Sequence, residues 1–260
     1  MQPAARLEGR PVAPGKHPKG GTAPPQKTIA IIPAGGAGRR MAAGQAKQYL
    51  RLRGRPILAH TLQALEDSRF IDEIILVVPE TDVPRVRRNI VDAFDFKKVT
   101  AVVPGGRERQ DSVRNGLGAV GEDCRVVVVH DGVRPFPSSG LIRRVVEEAR
   151  GGRAVVAGVP ASDTVKRADP GGIVRETLDR RELWLIQTPQ AFPTAMLKEA
   201  YRRACDENYC GTDDASLVER AGYPVIIIPG DSRNIKITTR EDLALAEHIP
   251  APVRRRSGRS

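Results

Sequence analysis

The chain has few cysteines, few aromatic residues and no long apolar run. Its 260 residues include three cysteines, and aromatic side chains make up 4%. Three cysteines without a C-x-x-C pair give neither a disulfide framework nor a zinc knuckle, and they favour a reducing compartment such as the cytoplasm. The longest apolar runs, residues 74–78 and 126–129, are far shorter than the roughly 20 residues that a membrane-spanning helix needs. A disulfide-rich secreted domain and a membrane-spanning protein are both excluded.

Positive charge is concentrated at the two ends. The formal net charge is +11, of which residues 1–26 contribute +3 and residues 251–260 contribute +4, so residues 27–250 carry only +4. The first segment is rich in proline, glycine and lysine without an apolar period, and we expect both ends to be disordered basic tails. It also lacks the apolar stretch of a signal peptide. The tails leave a nucleic-acid-binding module open as an alternative, although solvated disorder is the preferred interpretation.

Between the tails, short apolar runs alternate with segments of helical period. Runs rich in β-branched residues predict strands at 28–33, 73–78, 99–103, 125–129, 154–159 and 225–228. Helical periods predict helices at 56–67, 83–93, 107–120, 139–150, 194–206, 212–220 and 239–248. Nearly continuous apolar strands are typical of strands buried on both faces, and strand–helix alternation is typical of a parallel sheet. We therefore predict one α/β domain over residues 27–250, with a mostly parallel sheet flanked by helices.

One stretch interrupts this alternation. Two polar segments within residues 163–178 flank the turn sequence Ala-Asp-Pro-Gly-Gly, which predicts a β-hairpin. The hairpin is too polar for a core position. We expect a protruding arm, about residues 163–180, that either extends into solvent or packs on a partner chain.

A glycine-rich turn follows the first predicted strand. Residues 33–41 read Pro-Ala-Gly-Gly-Ala-Gly-Arg-Arg-Met, and Lys47 comes shortly after. Small residues at the carboxyl end of a parallel strand let backbone N–H groups approach phosphate oxygens. The spacing fits neither the dinucleotide fingerprint nor a P-loop, which leaves a loop whose Arg39, Arg40 and Lys47 would stabilise a triphosphate. The alternative is a tight turn followed by a solvated basic face.

Two further segments follow predicted strands at the same edge of the sheet. Residues 105–113 open a helix, where free N–H groups and Ser112 can bind a base or a phosphate, although an ordinary capped helix fits equally. In the other segment, residues 130–135, Asp131 is placed to contact a ribose hydroxyl, a metal ion or an attacking group. Arg134 in the same segment is placed to bind a phosphate. A local ion pair between Asp131 and Arg134 is the alternative, and we interpret His130 as a structural histidine.

Four residues farther along the chain fall near the ends of extended segments. They are Thr164, Thr188, Thr212 and Lys236. Lys236 ends the last predicted strand region and precedes a helix, which makes it a phosphate-binding candidate. The three threonines carry no argument by themselves.

Taken together, these motifs resemble the 2-C-methyl-D-erythritol 4-phosphate cytidylyltransferases of the non-mevalonate isoprenoid pathway. The matching residues lie in order at 33–41, 47–49, 105–113, 130–135, 163–166, 177–180, 187–190, 212–216 and 234–236. The resemblance implies a Rossmann-like fold of the nucleotide-diphospho-sugar transferase type and a homodimer whose hairpin arms are exchanged. It also implies transfer of CMP from CTP to methylerythritol phosphate, with Mg²⁺ or another divalent cation and no organic cofactor. Ribitol 5-phosphate cytidylyltransferases are similar in the nucleotide half and remain the alternative.

The resemblance also implies roles for single residues. Arg40 and Lys47 would neutralise the triphosphate, while Arg180 from the partner's arm and Lys236 would position the attacking phosphate. The nucleotide-binding residues would be Ala34, Gly35, Gly36, Gly38, Gly106, Arg107, Ser112, Asp131 and Gly132. The acceptor pocket would contain Asp131, Arg134, Thr164, Arg180, Thr188, Thr212 and Lys236. Mg²⁺ would be held mainly by the CTP phosphates, with Asp131 as the one candidate protein ligand.

Two positions depart from the family's pattern. Gly132 and Val133 stand where the family often has two alanines, and Arg107 stands where some members have an acid. Both positions are expected to act through the backbone, so the departures bear only on fine contacts to the base.

Overall fold

A computed structural model describes residues 26–35 and 46–250. Its strands, numbered along the chain, are β1 (Lys27–Pro33), β2 (Arg51–Leu52), β3 (Arg55–Pro56), β4 (Glu73–Val78), β5 (Val99–Pro104), β6 (Cys124–Val129), β7 (Ala154–Pro160), β8 (Lys166–Ala168), β9 (Val174–Thr177), β10 (Trp184–Pro193) and β11 (Val225–Pro229). Its helices are α1 (Ile57–Glu66), α2 (Val83–Val86), α3 (Arg109–Gly118), α4 (Ser139–Arg150), α5 (Thr194–Asp206), α6 (Asp214–Arg220) and α7 (Arg240–His248).

Seven strands form one mixed sheet in the order β11-β7-β10-β6-β1-β4-β5. Strand β10 is antiparallel to both of its neighbours, and the other adjacent pairs are parallel. Strand β10 is not among the strands predicted from the sequence. Its middle reads Gln-Thr-Pro-Gln and its pairing with β7 shifts between Gln187 and Gln190, so this strand lacks a continuous apolar run.

Helices cover both faces of the sheet because successive side chains of each strand point to opposite sides. On one face, Ala30 and Ile32 pack in an apolar cluster with residues of α1 and α4. On the other face, Ile29 and Ile31 pack in a second cluster with residues of α3, α5 and α6. The predicted helix over 83–93 is α2 followed by a π-helical turn, Arg87–Asp92.

A third, smaller apolar cluster lies outside these two layers. It gathers residues from the β2–β3 hairpin and the start of α1, from the segment after β6, and from α7 with its flanking segments. Its buried members are Leu52, Ile57, Val133, Phe136, Ile237, Ala246 and Ile249. Sequence periodicity did not predict this cluster, since its members come from three distant parts of the chain.

The predicted arm is present as a separate two-stranded sheet of β8 and β9, and its residues are exposed. Within the two described ranges, no helix is both long and apolar enough to cross a bilayer. The predicted tails at 1–26 and 251–260 lie outside the described residues, apart from Gln26. Gly36, Gly38, Arg39 and Arg40 also lie outside them.

Candidate functional site

The glycine-rich turn, the 105–113 segment and the 130–135 segment begin side by side at the carboxyl edge of the sheet. The Ala34 amide donates to the Val77 carbonyl (2.7 Å), and the Gly132 amide donates to the Pro33 carbonyl (3.2 Å). The Gly105 amide donates to the Val78 carbonyl (2.7 Å). Because open α/β sheets bind ligands outside the carboxyl ends of their strands, this edge is the candidate site.

The turn before α3 is shaped by Ser112. Its hydroxyl accepts a hydrogen bond from the Gly106 amide (3.1 Å) and donates to the Glu108 carbonyl (3.1 Å). A Cβ at Gly106 would lie 2.1 Å from the Asp111 Cβ, so a residue with a side chain does not fit this turn. A Cβ at Gly35 would lie 3.7 Å from the Ser112 hydroxyl. Ser112 therefore sits between the two loops that were predicted to hold the nucleotide.

Lys47 lies in a 3₁₀ turn, Lys47–Tyr49, that is fixed from two sides. The buried Gln48 side chain donates through Nε2 to the Ala34 carbonyl (2.7 Å). The Tyr49 hydroxyl donates to Asp82 (2.8 Å), and the Arg85 guanidinium lies 4.3 Å from the centre of the Tyr49 ring. These contacts hold the backbone of Lys47 next to the end of β1.

Asp131 is a buried carboxylate that three basic side chains contact, and these four residues form what we call the Asp131 group. Its Oδ1 accepts from Arg109 Nε (3.2 Å), and its Oδ2 contacts Arg134 Nε (3.4 Å) and Lys236 Nζ (3.0 Å). Burial would raise the pKa of Asp131, but the positive charges of Arg109, Lys236 and Arg134 outweigh it and hold this pKa well below the usual range of a carboxyl. Asp131 is therefore ionised at any physiological pH. The local Asp131–Arg134 ion pair, the alternative interpretation of this motif, is present within this larger group.

Arg109 and Asp214 belong to the same network and were not among the predicted site residues. Arg109 Nη2 donates to Asp214 Oδ2 (2.7 Å), and the Tyr201 hydroxyl donates to Asp214 Oδ1 (2.5 Å). Burial and the neighbouring Asp214 charge raise the pKa of Tyr201 well above its usual value, so it stays a donor. Both missed residues stand inside motifs that were recognised, but their pairing joins residues 105 positions apart. No local pattern reveals such a pair.

His130 and Thr188 fix the backbone of Asp131 from the other side. The Asp131 amide donates to the Thr188 hydroxyl (3.0 Å), which lies 3.1 Å from His130 Nδ1. The other ring nitrogen of His130, Nε2, lies 2.9 Å from the Arg134 carbonyl. His130 is fully buried, and it therefore has the structural position that was expected. Thr188, expected near the end of an extended segment, instead lies within β10, at the shift in its pairing with β7.

Lys236 was expected at the end of a strand, but the segment that carries it is irregular. Asn234 anchors this segment: its Nδ2 donates to the Thr188 carbonyl (2.8 Å), and its own carbonyl accepts from Arg134 Nη1 (2.8 Å). Two residues beyond Asn234, Lys236 then reaches Asp131. The hydrogen bonds of Asn234, rather than pairing in a strand, thus hold the segment of Lys236 in place.

Four predicted residues stay outside the Asp131 group. Arg107 and Thr212 are exposed, and α6 is capped by Asp213, whose carboxylate accepts from the Ser216 amide (2.9 Å). Thr164 and Arg180 are exposed at the base of the arm, where Arg180 Nη1 donates to the Ser162 carbonyl (2.6 Å). Within the described chain, neither Thr164 nor Arg180 hydrogen-bonds to the Asp131 group.

The described residues do not offer a protein-held metal site. No group of three or more histidine, cysteine, aspartate or glutamate side chains is placed there to hold a metal ion. Both oxygens of Asp131 already face cationic side chains, and this does not suit direct coordination of Mg²⁺.

Three basic side chains converge on one carboxylate beside the start of the glycine-rich turn, at the carboxyl edge of the sheet. Chemistry at such a site depends on positioning and charge, as phosphoryl and nucleotidyl transfer do. Fold and site together define a Rossmann-like nucleotidyltransferase.

Comparison with known proteins identifies the family. The sequence model of the 2-C-methyl-D-erythritol 4-phosphate cytidylyltransferases matches residues 28–251. Proteins of that name from Syntrophus aciditrophicus and Geotalea uraniireducens are 52% and 48% identical, each over 85% of this chain and 94% and 95% of their own. The chain belongs to the 2-C-methyl-D-erythritol 4-phosphate cytidylyltransferase family. The family resemblance inferred from the motifs is thereby confirmed.

Solved structures agree with the fold. A 4-diphosphocytidyl-2C-methyl-D-erythritol synthase from Anaerococcus prevotii is similar with a TM-score of 0.75 and 33% identity, over 85% of this chain and 95% of its own. A 2-C-methyl-D-erythritol 4-phosphate cytidylyltransferase from Thermus thermophilus is similar with a TM-score of 0.70 and 35% identity, over 85% of this chain and 98% of its own. The predicted α/β fold, with a mostly parallel sheet flanked by helices, is confirmed.

Proposed function

We propose that this chain transfers the cytidylyl group of CTP to 2-C-methyl-D-erythritol 4-phosphate, giving 4-diphosphocytidyl-2-C-methyl-D-erythritol and pyrophosphate. The observation that carries the proposal is the convergence of Arg109, Arg134 and Lys236 on Asp131 at the carboxyl edge of the sheet. Family membership supports methylerythritol phosphate over ribitol 5-phosphate as the acceptor.

The reaction needs no protein nucleophile. An oxygen of the acceptor phosphate, already negative near neutral pH, attacks the α-phosphorus of CTP. One P–O bond forms, the bond to the leaving pyrophosphate breaks, and no proton has to be removed from the attacking group. The task of the protein is to align two polyanions and to stabilise the charge of the transition state.

The positions of the side chains suggest a division of this task. We expect the backbone amides at the start of the glycine-rich turn and in the 105–113 segment to hold CTP, and Lys47 to face its triphosphate. Arg40 lies outside the described residues, and the same role is proposed for it from the sequence alone. We expect Lys236 and Arg134, which both contact Asp131, to bind the acceptor phosphate. Asp131 orients these two cations, since both contact its Oδ2, and Arg109 fixes Asp131 through Oδ1.

Mg²⁺ would enter with the phosphates of CTP, since the described residues do not provide a cation site of their own. The cation would add positive charge at the phosphates. The proposed contribution of the protein is binding and alignment of the phosphates, which Lys47, Lys236 and Arg134 perform through their own positive charge.

A homodimer and a cytoplasmic location are further parts of the proposal. Exposed apolar side chains, Ile173 and Val174 on the arm and Leu185 at the start of β10, favour burial against a second copy of the chain. Arg180 and Thr164 lie at the base of the same arm, so that exchange of the arms would bring them to the partner's site. All three cysteines are free thiols, which fits a reducing compartment.

The test is a pyrophosphate-release assay with CTP and Mg²⁺ and three acceptor conditions. We expect release with 2-C-methyl-D-erythritol 4-phosphate and little with D-ribitol 5-phosphate or without acceptor. Preference for ribitol phosphate would replace the acceptor but keep the nucleotidyl-transfer mechanism. Absence of release with either acceptor would overturn the proposal.

Lys47→Ala tests the assigned charge on the triphosphate. We expect kcat to fall on the order of a hundredfold to a thousandfold, the usual loss when one preorganised electrostatic donor is removed. The circular dichroism spectrum should remain that of the wild type. The matched control is Lys97→Ala, which removes an exposed lysine paired with Asp95. Wild-type turnover in the Lys47 variant would remove this residue from the mechanism.

A further inference from the structure

The β2–β3 hairpin has an unusual turn. Arg53 and Gly54, the two residues between its strands, have φ values of +50° and +77°. A two-residue turn with positive φ at both positions matches the twist of a hairpin, but it normally contains asparagine, aspartate or glycine. Left-handed backbone is unfavourable for an arginine because of its Cβ. Contacts elsewhere in the fold must therefore favour Arg53 at this position.

The hydrogen bonds of Arg53 outside the hairpin go to the end of α7. The Arg53 amide donates to Glu247 Oε1 (3.0 Å), and Nη2 of its guanidinium donates to the carbonyls of Ala246 (2.9 Å) and Glu247 (3.0 Å). The same Nη2 also donates to the Ile249 carbonyl. The guanidinium lies 5.8 Å from the centre of the Phe136 ring. The side chain thus joins two parts of the chain that are almost 200 residues apart.

Arg53 acts as the C-terminal cap of α7. The last four carbonyls of a helix lack partners within the helix, and a cation at this end also meets the favourable end of the helix dipole. Helix α7 ends at His248, and its C-cap residue, Ile249, is extended, with φ −71° and ψ 123°. The helix has no glycine cap of its own, so a donor from outside replaces it.

The capped helix is continuous with the segment that carries Lys236. Thr239 caps the start of α7, three residues after Lys236, and the Ile237 amide donates to the Val133 carbonyl (2.9 Å). Ile237 and Val133 are also members of the third apolar cluster, together with Leu52 of the hairpin. The hairpin, the segment after Asp131 and the segment from 235 to 249 are therefore packed as one unit.

This unit connects the segments that carry Lys47 and Lys236, two residues with proposed roles in the reaction. The hairpin begins two residues after the turn that contains Lys47, whereas the other end of the unit carries Lys236. We propose that Arg53 is a positioning residue of the transfer reaction: by binding the end of α7 it sets the segment of Lys236 relative to the segment of Lys47. The proposal rests on the proposed function, in which these lysines align the two phosphates.

Arg53→Gly tests this role most directly, because glycine accepts the left-handed backbone of the turn while the guanidinium is removed. We expect kcat for pyrophosphate release to fall on the order of tenfold to a hundredfold, the effect of a misplacement of about 1 Å. KM for each substrate should change little, since binding groups remain but their alignment is lost. Arg53→Lys, which keeps a donor and the charge, should restore part of the loss. Arg51→Ala is the matched control and should behave as wild type, since the Arg51 side chain is on the same hairpin but donates to the Gly54 carbonyl within it and not to α7.

Assays run at a temperature where circular dichroism shows the variants to be folded. Wild-type kcat in Arg53→Gly, or a loss that follows only the unfolded fraction, would overturn the proposal. Hydrogen exchange at the Ile237 amide gives a readout independent of the acceptor, and we expect faster exchange in Arg53→Gly. If the wild type shows no release with methylerythritol phosphate, the proposed function fails, and unchanged exchange at Ile237 would then separately overturn the role of Arg53.

Discussion

His130 connects the stability of the fold to pH through a single buried ring. Burial lowers the pKa of His130 to about 4, from about 6.5 in the unfolded chain. As pH falls through this window, the unfolded chain binds a proton that the folded protein does not bind, so the free energy of unfolding decreases. The loss should reach about 2 kcal/mol near pH 5 and continue until about pH 4.

Urea unfolding at a series of pH values checks this, with His130→Gln as the comparison. The variant should be less stable at neutral pH because it loses contacts to Thr188 and Arg134. Its free energy of unfolding should then fall less steeply with decreasing pH than that of the wild type. Parallel curves for the two proteins would show that another group titrates.

Gly132 is required by its contact with the end of β1. A Cβ at this position would lie 2.9 Å from the Ala34 Cβ, 3.2 Å from Leu58 Cδ1 and 3.3 Å from the Pro33 carbonyl. The two segments therefore approach each other more closely than an alanine at position 132 permits. Gly132→Ala should reduce the free energy of unfolding by about 1–3 kcal/mol through overpacking.

A double-mutant cycle separates this contact from other causes. Ala34→Gly removes the nearest atom, so we expect Gly132→Ala to be less destabilising in that background, with a coupling of roughly 0.5–3 kcal/mol in denaturant unfolding. Additive effects would mean that the backbone or Leu58, not Ala34, resists the new methyl group.

Among the elements of the fold, β10 shows where sequence patterns were insufficient. Strands β1, β4 and β6 were predictable because each is a nearly unbroken run of buried β-branched or apolar residues. In β10 the central residues are polar or proline, and their burial results from the site that they build: Thr188 supports Asp131, and Gln190 Nε2 donates to Asp213 (2.6 Å). A strand whose side chains serve a polar network cannot be recognised from hydrophobic period.

The arm is the element on which dimer formation should depend. Ile173 on the arm and Leu185 on β10 are 62% and 58% exposed, which is unfavourable for apolar side chains in water unless a partner covers them. Replacing both by aspartate should convert a dimer into a folded monomer, observed by sedimentation equilibrium and circular dichroism.

Leu245→Asp supplies the control for this change, since Leu245 on α7 is 54% exposed but lies outside the arm and β10. It should leave the dimer intact. A dimer that survives the double aspartate substitution would contradict the arm as the interface.

For the molecule as a whole, local patterns predicted the layers, but not the links between distant segments. Asp131, Arg134 and Lys236 were recognised as candidates because each stands in a motif near a predicted strand end, and the structure brings them together. The Arg109–Asp214 pair and the Arg53 cap were not predictable, since each depends on two residues that approach only after the sheet and helices have assembled. Long-range polar contacts leave no period in the sequence.

Removing the basic ends tests whether the proposed reaction depends on them. They carry most of the net charge, whereas the residues with proposed roles lie between 34 and 236. We expect a chain trimmed to residues 26–250 to keep wild-type kcat in the pyrophosphate assay. A large loss of activity, or salt-dependent DNA binding that disappears on trimming, would give the ends a functional role.

The Asp131 group also contains its own counter-ion, as an ion-exchange resin does before it binds another anion. Asp131 and Asp214 offset two of the three charges of Arg109, Arg134 and Lys236, so the resting group has a net charge of only +1 and its cations do not repel one another freely. Asp131 is the resident counter-ion. We expect an incoming phosphate to replace it in part as the partner of Lys236 and Arg134, so that the attraction of this group for its substrates is strong at contact and weak at a distance.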